Sequence, residues 1–176
     1  MRRRVSLFVA GLFLIGFHAA WGRAQGMSHS AVATLKPTQG NMVKGTIRFN
    51  EAPPQVRIVG DITGLPPGKH GLHIHEKGDC SAPDASSAGG HFNPEKHMHG
   101  APDAPEHHMG DLGNITADAK GKAHVNLTVT FLTIAEDPNT IAGKGLIVHA
   151  QEDDLKSQPV GNAGARLACG VIQKKN

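Results

Sequence analysis

From Ala123 to Thr133 the chain alternates without a break. Val125, Leu127, Val129 and Phe131 fall on one side of an extended backbone, and His124, Asn126, Thr128 and Thr130 fall on the other. A period of two is the signature of a half-buried β-strand, and no amphipathic helix satisfies it. Shorter runs repeat the theme. Ser28 to Lys36 is β-leaning, Asn41 to Asn50 sets Val43, Ile47 and Phe49 against polar neighbours, and Val56 to Ile62 sets Val56, Ile58 and Gly60 against Arg57, Val59 and Asp61. Gly45 interrupts the second of these runs and is expected to mark a bulge. Pro53-Pro54 and Leu65-Pro66-Pro67-Gly68 supply turns between strands. Gly113 to Asp118, Gly145 to Ala150 and Ala165 to Gln173 read as further strands, the last two more buried. No apolar period of 3.6 residues persists long enough for a helix. The class is all-β, an antiparallel sandwich or barrel.

The N-terminus stands apart from this pattern. MRRR is followed by the apolar run VSLFVAGLFLIGFHAAW and then by Gly22-Arg23-Ala24. That is the layout of a secretory signal, with cleavage expected between Ala24 and Gln25 and a single folded domain over residues 25–176. The competing reading is an uncleaved anchor, for which the apolar run is at the short limit. Arg3-Arg4 before Val-Ser-Leu also resembles a twin-arginine signal. Losing Arg2, Arg3, Arg4 and Arg23 leaves 14 basic residues against 15 acidic, a net charge of −1. The basic character therefore belongs to the leader, and nothing in the mature chain argues for nucleic acid or a membrane as partner. Only Phe49, Phe92 and Phe131 remain as aromatic core candidates, so the core must rest on Val, Ile and Leu. Cys80 and Cys169 are an even count in an exported chain and read as one disulfide. It would close a loop worth about 4–5 kcal/mol of unfolded-state entropy. Two thiolate metal ligands are the alternative, which the surplus of histidine makes the weaker one.

Seven of the chain's 12 histidines fall between Gly71 and Asp111. His73 and His75 flank Ile74 on an expected strand, so both imidazoles share one face, with Leu72 and Ile74 on the other. His91, His99, His108 and Asp111 follow in a Pro/Gly-rich loop from Gly78 to Gly113 that has too few apolar residues to bury a core of its own. Histidine nitrogens with one carboxylate suit zinc, and imidazoles without thiolate suit copper(II). His70, His97, His107 and His124 are expected at the surface or in loops. His97 beside His99, and His107 beside His108, leave two registers for the loop ligands. Glu76 and Asp79 read as loop and turn residues. Asn114-Ile-Thr116 and Asn126-Leu-Thr128 match the glycosylation sequon, and both lie in expected strands, where the match reads as chance.

GLHIHEKGDC, the GGHFNP segment, IVH with its following Asp-Asp, and GNAGARLACGVI together resemble the copper/zinc superoxide dismutases in order and spacing. The resemblance spans essentially the whole mature chain. It implies a Greek-key barrel of eight strands. It implies copper held by His73, His75, His91 and His149, zinc held by His91, His99, His108 and Asp111, and His91 bridging the two. Asp153 falls where the family carries a carboxylate joining a copper ligand to a zinc ligand, here His73 and His99. Cys80 and Cys169 match the family disulfide, and Arg166 matches the arginine beside copper. The implied reaction is disproportionation of superoxide to dioxygen and hydrogen peroxide, with Arg166 and His91 as the catalytic residues. On reduction of copper, His91 is expected to part from it and take up a proton for the product.

Two departures stand out. The segment from Gln151 to Val160 is short and holds a single basic residue, Lys156, where many family members carry several charges that steer the anion. Lys77, Lys96 and Lys156 are the remaining candidates for steering. The short segment and the leader resemble the bacterial periplasmic branch, whose subunit contacts vary, which leaves monomer and homodimer both open. A non-catalytic copper chaperone or buffer on the same fold is the second hypothesis, and a histidine-rich zinc-sequestering domain is a third. Relatives of the former kind characteristically lose a copper ligand or the arginine, and this chain keeps both.

Overall fold

The computed structural model describes residues 28–175. The expected leader, residues 1–24, lies outside the described residues. Among the described residues there are eight strands: β1 (Ser30–Pro37), β2 (Lys44–Ala52), β3 (Gln55–Thr63), β4 (Gly68–His75), β5 (Asp111–Ala117), β6 (Lys122–Val129), β7 (Gly145–His149) and β8 (Arg166–Lys175). They form a closed antiparallel barrel in the order β1-β2-β3-β6-β5-β4-β7-β8. β3 lies beside β6 and β4 beside β7, so the β3–β4 and β6–β7 connections cross the barrel ends in Greek-key fashion. The all-β expectation holds, including the number of strands.

The alternation dictates which side chains enter the barrel. Val125 is buried and Leu127 and Val129 are partly buried against the core, while His124, Asn126 and Thr128 face solvent. β6 ends at Val129, earlier than its alternation suggests. Beyond it Phe131 continues the rhythm as loop, packed edge-on against His107 at 4.5 Å between ring centroids. Ile47, Phe49, Val56, Ile58, Ile62, Leu72, Ile74, Leu146 and Ile172 complete a core built from branched aliphatics with one aromatic at its centre.

Gly45 is not at a bulge. It pairs in regular register with Leu35 on one side and Ile62 on the other. A Cβ there would lie 2.5 Å from the Asp61 carbonyl oxygen and 3.0 Å from Ile62 Cα, so the glycine permits close backbone approach. The irregularities of pairing fall instead between Gly71 and His73 and between Val148 and His149, both next to histidines. Bulges re-aim side chains, and these two sit where imidazoles must converge.

The long loop between β4 and β5 does contribute to the core, contrary to expectation. Phe92 and Met109 pack into the main core, and Ala85 and Ala88 form a second cluster with Ile147 and Cys169. Backbone bonds complete its anchorage to β4. Phe92 N–H donates to Ile74 O (2.8 Å), Ile74 N–H to Gly110 O (2.9 Å), and Gly110 N–H to Phe92 O (2.9 Å). Cys80 and Cys169 form the expected disulfide, 89 residues apart in sequence. Gly45→Ala should lower stability by about 1–3 kcal/mol through overpacking. Urea unfolding checks this, and an unchanged midpoint would show that the strands do not need the close approach.

Candidate metal centre

Two groups of buried side chains meet at the open end of β4. In the first, ligand atoms of His73, His75, His91 and His149 all lie within 4.8 Å of one another; in the second the same holds for His91, His99, His108 and Asp111. All seven residues are buried. β4 supplies His73 and His75, β7 ends on His149, β5 begins at Asp111 opposite His73, and the loop supplies His91, His99 and His108. His91 is set by an isolated antiparallel bridge to His75. Its ring lies 4.0 Å from that of His73 and 5.4 Å from those of both His99 and His108.

Hydrogen bonds decide which nitrogen of each ring keeps a free lone pair. His75 Nδ1–H donates to Gly89 O (2.9 Å) and His149 Nδ1–H to Gly164 O (3.1 Å), leaving Nε2 of each as an acceptor. Those two Nε2 atoms face one another at 3.4 Å, a contact that no proton on either ring supports. His73 Nε2–H donates to Asp153 Oδ2 (2.7 Å), leaving its Nδ1 free, and His99 Nε2–H donates to Asp153 Oδ1 (2.9 Å) with its Nδ1 turned to Asp111 Oδ1 at 3.1 Å. Among the described residues, His73 Nδ1 and His91 Nε2 are buried without any hydrogen-bond partner. Orphaned buried acceptors are rare and costly, and here they converge.

In the second group Asp111 Oδ1 lies 2.8 Å from His91 Nδ1, 3.1 Å from His99 Nδ1 and 3.3 Å from His108 Nδ1, and the two Nδ1 atoms of His91 and His108 are 3.4 Å apart. A tetrahedral zinc ion with nitrogen and oxygen ligands requires separations of about 3.3 Å between them. The donor set of the first group, four neutral imidazoles without thiolate, suits copper. Both groups therefore fit the metals that their donors imply.

Electrostatics agree with this division. Burial pushes the His75 imidazolium down to about 2, His149 to about 3 and His91 to about 4, in each case assisted by repulsion from neighbouring rings. These rings stay neutral, as ligands must. Burial also opposes charge on His99, but Asp111 and Asp153 outweigh it and raise it to about 9. Burial works against charge on Asp111 and Asp153 too, yet hydrogen bonds from His108 and His91 in one case, and from His73 and His99 in the other, hold both carboxyls well below the usual range.

Arg166 sits beside the first group. It is the cross-strand partner of His149, and its Nη1–H and Nη2–H donate to Ala85 O and Gly89 O, both at 2.6 Å. Gly89 O thus orients Arg166 and His75 together.

The model of the family described as copper/zinc superoxide dismutase (SODC) matches residues 43–172. The chain belongs to the copper/zinc superoxide dismutase family. It is similar to the extracellular superoxide dismutase [Cu-Zn] of Brugia pahangi, 42% identical over 81% of this chain and 75% of that protein. The extracellular superoxide dismutase [Cu-Zn] of Caenorhabditis elegans is 39% identical over 98% of this chain and 78% of its own length. The superoxide dismutase [Cu-Zn] of Onchocerca volvulus is 41% identical over 83% and 96%. Copper and zinc are the metals of this dismutase family, and both donor sets suit them.

The two loop registers separate cleanly in this dismutase fold. His99 and His108 point into the second group, whereas His97 is half-exposed beside Glu95 and His107 packs on Phe131. Together His97 and His107 border a separate surface cavity of about 500 Å³. His124 is exposed against Asp61. His70, expected at the surface, is buried: its ring nitrogens lie 2.9 Å from His149 O and 2.8 Å from Pro66 O, so it ties a turn to the strand that ends in a ligand. Asn114 was legible only as a sequon. Its Nδ2–H donates to Asp153 O and its Oδ1 accepts from Asp153 N–H, both at 2.8 Å, so it anchors the carboxylate shared by both groups. Gly161 is also essential there, since a Cβ would fall on Asp153 Oδ1 and 2.5 Å from His99 Nε2.

The lowered histidines have a consequence for the metal-free protein. Their unfolded value is 6.5, so their contribution to stability is complete above that pH and is lost as pH falls toward their folded values. His99 works in the opposite sense: its contribution is present below pH 6.5 and is lost as pH rises through about 9. The urea midpoint of the metal-free protein should therefore drop steeply below pH 6.5, and on the other side decline from pH 6.5 upward and level off near pH 9. A midpoint flat down to pH 4 would contradict the burial of these rings as neutral species.

Proposed function

We propose that this chain disproportionates superoxide to dioxygen and hydrogen peroxide, with copper at His73, His75, His91 and His149 and zinc at His91, His99, His108 and Asp111. One observation carries the reading: His91 belongs to both donor groups, and Arg166 is held on the same carbonyl that orients His75. Copper bound here would supply one-electron chemistry, accepting an electron from one superoxide and returning it to a second. The remaining work falls to the chain. Arg166 keeps three N–H donors after its two carbonyl bonds, and its fixed charge offers a small anion binding and orientation beside the first group. His91 Nε2, buried and without a partner, is a place where a proton can be held and passed to the product. The opposite nitrogen of that ring lies 2.8 Å from Asp111 Oδ1 in the metal-free chain, and with zinc bound both would be its ligands, so the ring stays held on that side whatever Nε2 carries. A copper buffer without turnover has no use for a guanidinium locked in this position, which favours the catalytic reading. The mature charge of −1 leaves attraction of the anion to local charge, with Arg166 supported by the exposed Lys77, Lys96 and Lys156.

Export is part of the same proposal. The N-terminal pattern supports a cleaved leader over residues 1–24, and two relatives bear the name extracellular. An exported or periplasmic compartment also suits a disulfide. N-terminal sequencing of the protein recovered from the exported fraction should begin at Gln25, and an intact Met1 would leave the leader as an anchor. Arg166→Ala should slow superoxide removal about ten- to hundredfold while copper content stays the same. Equal activity at equal copper would remove Arg166 from the mechanism.

A further inference from the structure

The short connection from Gln151 to Val160 holds a single basic residue, Lys156, but it also holds a side chain with a different relation to the metal centre. Among the described residues, the backbone of Gln158's target, His99, has no backbone partner of its own. Its N–H donates to Gln158 Oε1 at 2.8 Å, and its carbonyl oxygen accepts from Gln158 Nε2–H at 2.8 Å. One carboxamide thus satisfies both main-chain groups of a residue 59 positions away, as an adjacent β-strand would do. From this geometry we infer that Gln158 is a positioning residue for the zinc site, acting through the main chain of His99. The inference rests on the assignment of His99 as a zinc ligand proposed above.

Two features make the clamp effective. First, the segment that bears Gln158 is itself pinned. Asp154 Oδ1 accepts from Lys156 N–H (3.1 Å) and Ser157 N–H (2.8 Å), Gly161 N–H donates to Ser157 O (2.7 Å), and Gln158 Nε2–H also reaches Lys156 O (3.0 Å). A glutamine held in this way loses little further rotamer freedom on making the contact. Second, the side chain of His99 is gripped from the same segment, by Asp153 Oδ1. Asp153 orients the ring while Gln158 sets the backbone from which the ring projects. His99 is thereby fixed at both ends by residues five positions apart, and its Nδ1 is aimed without reliance on the exposed Met98 beside it. His97, two residues earlier, is held likewise by Asn93, whose amide accepts from His97 N–H (3.0 Å) and donates to His97 O (2.8 Å), but that carboxamide comes from the same loop and ties it only to itself. Gln158 is the one that links the loop to the connection carrying Asp153.

The test is the rate of zinc release from the fully metallated, disulfide-bonded protein to a colorimetric chelator at neutral pH. Gln158→Ala should release zinc about tenfold faster than the wild type, in the range of outer-shell effects on metal affinity, with copper content and its visible spectrum unchanged. Gln158→Glu keeps the size and the acceptor for His99 N–H but sets an oxygen against His99 O, and should release zinc at least as fast as the alanine variant. Asp111→Ala, measured alongside, should lose zinc outright. Zinc release at the wild-type rate from both Gln158 variants, with Asp111→Ala zinc-free, would overturn the clamp and leave the zinc site standing. Retention of zinc by Asp111→Ala would overturn the site and the clamp together. Unfolding with and without metal separates positioning from mere support: relative to the wild type, Gln158→Ala should lose more stability when zinc-loaded than when metal-free. An equal loss in both forms would reduce Gln158 to a structural contact and overturn the inference.

Discussion

Asp153 joins the two halves of the metal centre. One carboxylate accepts from His73 with one oxygen and from His99 with the other, and both bonds lie fully inside the protein. Charge-assisted bonds of this kind are strong because no water competes for them. They settle which nitrogen of each ring faces the carboxylate, and so which one is aimed inward at the metal site. Remove that carboxylate and the two rings have no reason to present Nδ1 at all. Asn114 and Gly161 exist in this arrangement to hold Asp153 and to leave it room, which makes the backbone around residue 153 as constrained as the ligands themselves.

The same economy recurs at Gly89. Its carbonyl receives both the His75 ring and the Arg166 guanidinium, so a donor to copper and the binding group for an anion share one fixed point. That point lies on a loop whose position depends on the disulfide from Cys80 to β8, and on the small cluster of Ala85, Ala88 and Ile147 beneath it. A loop of this length remains ordered because it returns to β4 twice, through Phe92 and through Gly110, between visits to the metal site. Order in the loop and order at the site are one property.

Much of this was legible in the residues. Alternation located the strands and their inward faces, since a barrel with one buried side writes a period of two into every strand. It failed at ends and at glycines. The rhythm ran past Val129 because Phe131 is partly buried by a loop rather than by a neighbouring strand. A missing side chain at Gly45 looked like a bulge because both a bulge and a close approach call for glycine, and only the register distinguishes them. The His73/His75 pair was visible in spacing alone. His149, Asp153 and Arg166 were visible only through resemblance to a family, because no local pattern reports a partner 70 or more residues away. His70 was misplaced for the same reason: the two carbonyls that enclose it come from a turn and from β7. The roles of Asn114 and Gln158 had no sequence signal, since a carboxamide that clamps a distant backbone looks like any other polar residue.

The position of β8 in the barrel has a consequence for how the protein comes into being. This strand closes the barrel against β1, and it also bears Arg166 and Cys169. Being the eighth of eight strands, it leaves the ribosome after every histidine of the centre has already been synthesised. Until it arrives, the nascent chain carries all of its imidazoles on an open, unlatched sheet. The final geometry of the centre therefore waits on the docking of β8, which completes the barrel and sets Arg166 beside His149.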